Sequence, residues 1–253
     1  MKFWRDAYET ADKAAVEGQA PARPEDPGKI APEAEVPAGA GDLTELVFIL
    51  DRSGSMHGLE GDTIGGFNSL IEKQKREPGK CFVTTVLFDN TMKTLHDRVE
   101  LQEIQPLTER DYRVGGCTAL LDALGGTIRH IVDIHRYARR EDVPARTTFV
   151  IITDGMENAS RQYDSAKVKS MIEHEKSKYG WEFLFLAANI DAVETARHMG
   201  IDADRSVNYH ADARGTQMAY AAVEQAVMAR RKFAAPLNAS WRQDVDEDYE
   251  SRK

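Results

Sequence analysis

Five oxygen-bearing side chains stand at spacings that suit one chemistry. Asp51, Ser53 and Ser55 alternate through Asp-Arg-Ser-Gly-Ser, Thr118 follows Gly115-Gly116-Cys117, and Asp154 sits in Thr153-Asp154-Gly155. An all-oxygen set with two carboxylates suits Mg²⁺, with Mn²⁺ or Ca²⁺ as alternatives, because these hard cations prefer oxygen ligands and zinc does not. Two negative charges neutralise a divalent ion and the hydroxyls add none, so the ion keeps its pull on an outside ligand.

The elements that position these residues are legible as buried strands. Leu46 to Leu50 is a non-alternating apolar run ending at Asp51, and Thr147 to Thr153 is another ending at Asp154; such runs suit strands covered on both faces. Helical spacing predicts a crossover helix over 60–76, and Glu77-Pro78-Gly79 stops it. Cys81 to Phe88 reads as a second strand, and a tight turn at Asp89-Asn90-Thr91 leads to a third near Met92 to Leu101. So short a connection requires antiparallel pairing, which places the third strand at an edge.

A helix follows Thr118. Further along come a helix near 164–179, a strand over Glu182 to Ala187, a short helix near Val193 to His198, a small strand near Ser206 to Tyr209 and a long helix over about 212–234. The expected fold class is α/β, an open, doubly wound, mostly parallel sheet of about six strands with one antiparallel edge strand and helices on both faces. Ligands in such sheets bind outside the carboxyl ends of the strands, where Asp51 and Asp154 lie.

Three segments are expected. Residues 1–43 hold five of the nine prolines and read as a disordered linker, with a short helix near 3–16 as its one candidate element. Residues 44–235 form the folded domain, and 236–253 read as an acidic, mobile tail. The formal charge of −9 is unevenly spread: residues 1–43 carry five basic and nine acidic groups, and 237–253 carry three and five, which leaves −3 for the remainder. That near balance gives no basic footprint for nucleic acid. No apolar run reaches the ~18–20 residues that span a bilayer, and the first residues lack a signal-peptide core. The expectation is a cytoplasmic protein with no nucleic-acid or membrane partner. Cys81 and Cys117 lack zinc spacing and read as free thiols, Cys117 as a small buried side chain packing its loop.

The pattern resembles the von Willebrand factor A domain with its metal-ion-dependent adhesion site, over about residues 44–235, and most closely its small intracellular bacterial members. The resemblance implies a Rossmann-like fold in which Ser53, Ser55 and Thr118 bind the metal directly and Asp51 and Asp154 bind directly or through water. It also implies that an Asp or Glu of a protein partner completes the coordination, with no catalysis.

Other chemistries fit less well. A strand-end aspartate such as Asp51 can act as a phosphoryl nucleophile, but Ser53 stands where the Asp-x-Asp pattern needs a second acid. Neither serine has a Gly-x-Ser-x-Gly elbow or an identifiable activating histidine. The glycines at 115, 116, 125 and 126 match no phosphate-binding motif. A metal-dependent phosphate-ester hydrolase, or a scaffold acting through residues 1–43, remain the alternatives. His57 reads as an ordinary loop histidine. Met56, Leu59, Tyr112 and Arg113 either frame the binding face or pack inward.

Overall fold

Strand β1, Thr44–Asp51, is buried along its whole length, and its side chains divide between two cores. Leu46, Phe48 and Leu50 face one layer of helices, while Val47 and Ile49 face the other. A strand covered on both sides has no solvent face, so its sequence need not alternate. The computed structural model describes residues 42–232 and 237–252. The expected N-terminal segment, with its candidate helix near 3–16, lies outside the described residues apart from Asp42 and Leu43.

Around β1 the chain builds α1 (Glu60–Gln74), β2 (Cys81–Phe88), β3 (Met92–Glu100), α2 (Leu120–Tyr137) and β4 (Arg146–Thr153). It continues through α3 (Ser165–Tyr179), β5 (Glu182–Ala187), α4 (Ala192–His198), β6 (Ser206–Asn208) and α5 (Ala213–Lys232) to α6 (Gln243–Ser251). The sheet order is β3-β2-β1-β4-β5-β6. β1 pairs in parallel with both β2 and β4, and β3 pairs antiparallel with β2 at the edge. The α/β class, the six strands and the antiparallel edge therefore agree with the expectation.

Helices α1 and α5 cover the face bearing Phe48, through Phe67, Leu70, Ala219, Val223 and Val227. Helices α2, α3 and α4 cover the face bearing Ile49, through Leu124, Ile128, Val168, Ile172 and Ala196. The chain leaves β1 toward β2 on one side and returns to β4 on the other. The carboxyl ends of β1 and β4 are thus the point where strand order reverses, and there the crossover connections diverge and leave a crevice.

The expected mobile tail is a correction. Residues 239–242 form a 3₁₀ turn and α6 follows it. Leu237, Trp241 and Val245 are buried in the α1/α5 core. Only Val245 of the three lies on α6, and the acidic character of the segment hides these anchors. The charges are largely paired: Arg242 holds Asp246 at 2.6 Å, and Asp248 lies 2.8 Å from Arg214. Trp241 Nε1 donates to the Asp204 carbonyl at 2.9 Å, and Arg205 donates to that of Leu237 at 2.7 Å.

Candidate functional site

The structure brings all five predicted side chains to the carboxyl ends of β1 and β4. Asp51 ends β1 and is buried, with both carboxylate oxygens engaged. Oδ1 accepts from the Ser53 amide at 2.7 Å and Oδ2 from Thr153 Oγ1 at 2.5 Å. The second bond follows from strand order, because β4 runs beside β1 in register Leu50 to Ile152 and the next step sets Asp51 against Thr153. Burial raises the Asp51 pKa, and the hydrogen bonds from Thr153 and Ser53 counter part of that rise.

The chain after Asp51 turns through a single 3₁₀ turn, Gly54–Met56, which places Ser53 and Ser55 on the same side. Their hydroxyl oxygens are 3.0 Å apart, and Thr118 Oγ1 donates to Ser53 Oγ at 3.0 Å. Gly54 is pinned from the facing loop, its amide donating to the Gly116 carbonyl at 3.1 Å. Gly155 closes the cluster. A Cβ there would stand 2.8 Å from both Ser55 Oγ and Thr118 Oγ1 and 3.6 Å from Ser53 Oγ. The three hydroxyls therefore converge on a backbone that only glycine allows so near.

Asp154, buried beside them, is the anomaly. Neither of its carboxylate oxygens has a hydrogen-bond partner. Burial raises its pKa most, and the nearby Asp51 charge raises it further. The Ser55 hydroxyl eases that cost without forming a well-made hydrogen bond. A buried ionised carboxylate without partners is strongly disfavoured, and buried polar groups in native proteins are nearly always satisfied. A carboxylate left open beside three converging hydroxyls and a second carboxylate is a donor set that fits a hard divalent cation. Among the described residues no three or more His, Cys, Asp or Glu side chains gather to hold a metal ion; this donor set has two carboxylates and relies on hydroxyls for the rest.

The loop after β4 holds Thr118 in place. The Thr118 amide donates to Asn158 Oδ1 at 3.0 Å, and the amides of Asn158 and Ala159 donate to the Thr118 carbonyl at 3.0 and 3.2 Å. Glu157 Oε2 accepts from the Leu121 amide at 2.9 Å and Oε1 from the amides of Ala159 and Ser160. It thereby satisfies one of the open donors at the start of α2. Asp122 reciprocates, accepting from the amides of Arg161, Gln162 and Tyr163. Sequence reading did not single out Thr153, Glu157 or Asn158 as site residues. Thr153 is simply the last residue of β4 and Glu157 and Asn158 are ordinary polar loop residues, and nothing in the local pattern marks them as clamps.

The open alternatives also resolve. Met56, Leu59 and Tyr112 are buried and pack inward, whereas Arg113 is exposed. His57 is exposed, 3.2 Å from Glu60. Cys81 is buried, but Cys117 is exposed; the expectation of a buried packing side chain fails there because the loop backbone, through Gly116 and Thr118, makes the inward contacts. No helix among the described residues is long and apolar enough to cross a membrane.

The sequence matches no family profile and no curated protein. Solved structures do match. A von Willebrand factor type A protein from Catenulispora acidiphila aligns over 74% of this chain and 43% of its own, at 13% identity and a TM-score of 0.50. Proximal thread matrix protein 1 from the mussel byssus aligns over 77% and 47%, at 12% identity and a TM-score of 0.51. This chain thus spans less than half the length of each. At such identity the likeness concerns architecture alone, and in architecture the chain has the von Willebrand factor A fold.

Proposed function

We propose that this chain is a divalent-metal-dependent protein-binding module in which an Asp or Glu of a protein partner completes the coordination of the ion. The observation that supports it most directly is Asp154, buried with two unpartnered oxygens beside three converging hydroxyls. Ser53, Ser55 and Thr118 would hold Mg²⁺ together with Asp154. Asp51, whose oxygens already accept hydrogen bonds from Ser53 and Thr153, contributes charge and orients the serine loop.

The bound ion would supply an electrophilic position for a carboxylate from outside. The chain's own residues do the rest. Thr153 and the Ser53 amide orient Asp51, while Asn158 fixes Thr118. Met156, next to the glycine cradle and 71% exposed, offers a partner an apolar contact at the rim. Asp51 is less suited to phosphoryl transfer, since both its oxygens are held as hydrogen-bond acceptors inside the fold and no second acid follows at position 53.

Two measurements test this. Mg²⁺ at about a hundredfold above its Kd should stabilise the protein by about 2.7 kcal/mol, a rise in Tm of about 5–10 °C for a domain of this size. Partner capture by the immobilised chain should be lost in EDTA and in Asp154→Ala. Capture that persists with the ion stripped, or a Tm that ignores Mg²⁺, sinks the reading.

A further inference from the structure

Behind the oxygen cluster, between the sheet and helices α1 and α5, lie three buried tyrosines: Tyr112 from the segment after β3, Tyr209 just beyond β6, and Tyr220 on α5. Two of them reach the backbone of the site. The Tyr112 hydroxyl donates to the carbonyl of Asp51, and the Tyr209 hydroxyl donates to the carbonyl of Thr153 at 3.3 Å. Each of those carbonyls belongs to the peptide plane that leads into a site segment, Asp51 to Arg52 in one case and Thr153 to Asp154 in the other.

The position of these bonds gives them their meaning. The β1–β4 ladder ends at the pair Leu50 and Ile152. Asp51 and Thr153 lie one residue beyond it, each still paired with its outer neighbour, Phe88 and Ala187, but not with the other. From the site side Thr153 Oγ1 reaches Asp51 Oδ2 across the gap, and the Asp154 backbone also eases the Asp51 carboxylate. From the core side each phenol donates to one strand end, and the Thr153 carbonyl accepts from the Ala188 amide at 3.1 Å as well. Burial raises both phenol pKa values well above the ordinary one, so both hydroxyls stay protonated and act as donors. The charges of Asp154 and Asp51 add to the rise at Tyr209, as their nearness requires.

Tyr220 stands near both. Its hydroxyl is buried and has no hydrogen-bond partner. Its ring lies against Gly66 of α1, where a Cβ would come within 2.4 Å of it. Tyr220 therefore acts by its bulk, as a spacer between helix and sheet.

We infer that Tyr112 and Tyr209 are positioning residues which, from within the core, set the separation of the Asp51 and Asp154 strand ends and thereby the affinity of the site for a divalent ion. The inference rests on the ion-binding reading above. Sub-ångström placement of ligands governs such affinity, and loss of an outer partner typically costs about 10–100-fold.

The test is a Mn²⁺ titration of the full chain followed by electron paramagnetic resonance, at a temperature where every variant is folded. Tyr112→Phe should weaken Mn²⁺ binding about tenfold and alter the spectrum of the bound ion. Tyr209→Phe, whose bond is longer, should weaken it by about threefold. Tyr220→Phe should bind as the parent does, because no bond is lost. Val227→Ala, a cavity in the same core away from the site, should lower Tm and leave Mn²⁺ affinity unchanged.

Parent-like binding by Tyr112→Phe and Tyr209→Phe, with binding lost in Asp154→Ala, overturns the inference and spares the ion site. Equal weakening by Val227→Ala also overturns it, since general destabilisation then explains the effect. Should Tyr112→Phe fail to fold, Tyr209→Phe carries the test alone. Retention of Mn²⁺ by Asp154→Ala means that the ion reading itself is wrong, and the inference falls with it.

Discussion

Two buried carboxylates at opposite ends of the central strands are treated in opposite ways. Glu45, at the start of β1, is fully buried, and each of its oxygens has a basic partner: Arg98 Nε donates at 2.8 Å and His135 Nε2 at 2.5 Å. The surroundings complete the arrangement. Arg98 also donates to the Asp142 carbonyl at 2.7 Å and lies over the Phe82 ring, while Trp181 packs edge-on against His135. Arg98 takes a left-handed φ of 49° beside an irregularity in the β2–β3 pairing, a conformation uncommon for a residue with a side chain. At the other end Asp154 is as well buried and has no partner. Satisfaction of every oxygen marks Glu45 as structural, joining β1, the edge strand and α2. The open oxygens of Asp154 are those that the proposed ion would satisfy.

The sharpest way to break this comparison is to remove Glu45. Glu45→Ala strands Arg98 and His135 in the core and should cost about 3–5 kcal/mol in denaturant unfolding, with the Mn²⁺ affinity of the folded protein unchanged. A loss below about 1 kcal/mol would mean that the cluster is not a structural clamp.

Asp154→Asn should behave in the reverse sense. It removes an uncompensated charge, so the Tm of the metal-free protein should rise, while the gain of about 2.7 kcal/mol from saturating Mg²⁺ should vanish. A metal-free Tm that falls would show that the carboxylate is already satisfied.

The pH dependence follows the same sign. A folded-state pKa raised above the unfolded one means that the folded protein binds the proton more tightly. The stability contributed by Asp154 and Asp51 is thus present at low pH and lost as pH rises from their ordinary value through the raised one. An ion that offsets two ionised carboxylates should therefore raise Tm more at about pH 7 than at about pH 5. An equal rise at both would detach the ion's effect from these groups.

The smallest effect is expected from Asn158→Ala, which takes the acceptor from the Thr118 amide. About 1 kcal/mol should be lost, and Mn²⁺ affinity should fall a few-fold as the Thr118 hydroxyl loosens.

Part of this was legible in the residues themselves. The apolar run ending in Asp-x-Ser-x-Ser, the strand ending at Asp154 and the β-α alternation are local patterns, and the fold carries all of them. The C-terminal segment was not legible, because its acidic composition masks three apolar anchors, Leu237, Trp241 and Val245, and Trp241 becomes informative only against Asp204. Cys117 was misread for a related reason: the loop turns its backbone inward and leaves the side chain outside.

The sequence by itself determined the strands, the turns and the helices other than α6, since periodicity, glycine placement and helix stops act between near neighbours in the chain. The tertiary structure alone decided which strand ends meet. That β4 rather than another strand lies beside β1 brings Thr153 to Asp51, and the folding of distant segments brings Asn158 to Thr118 and Tyr112 and Tyr209 beneath the two carboxylates. Backbone hydrogen bonding is the same for every strand pair, so local sequence carries no mark of its partner. Only the burial of both sheet faces selects the order that assembles this site.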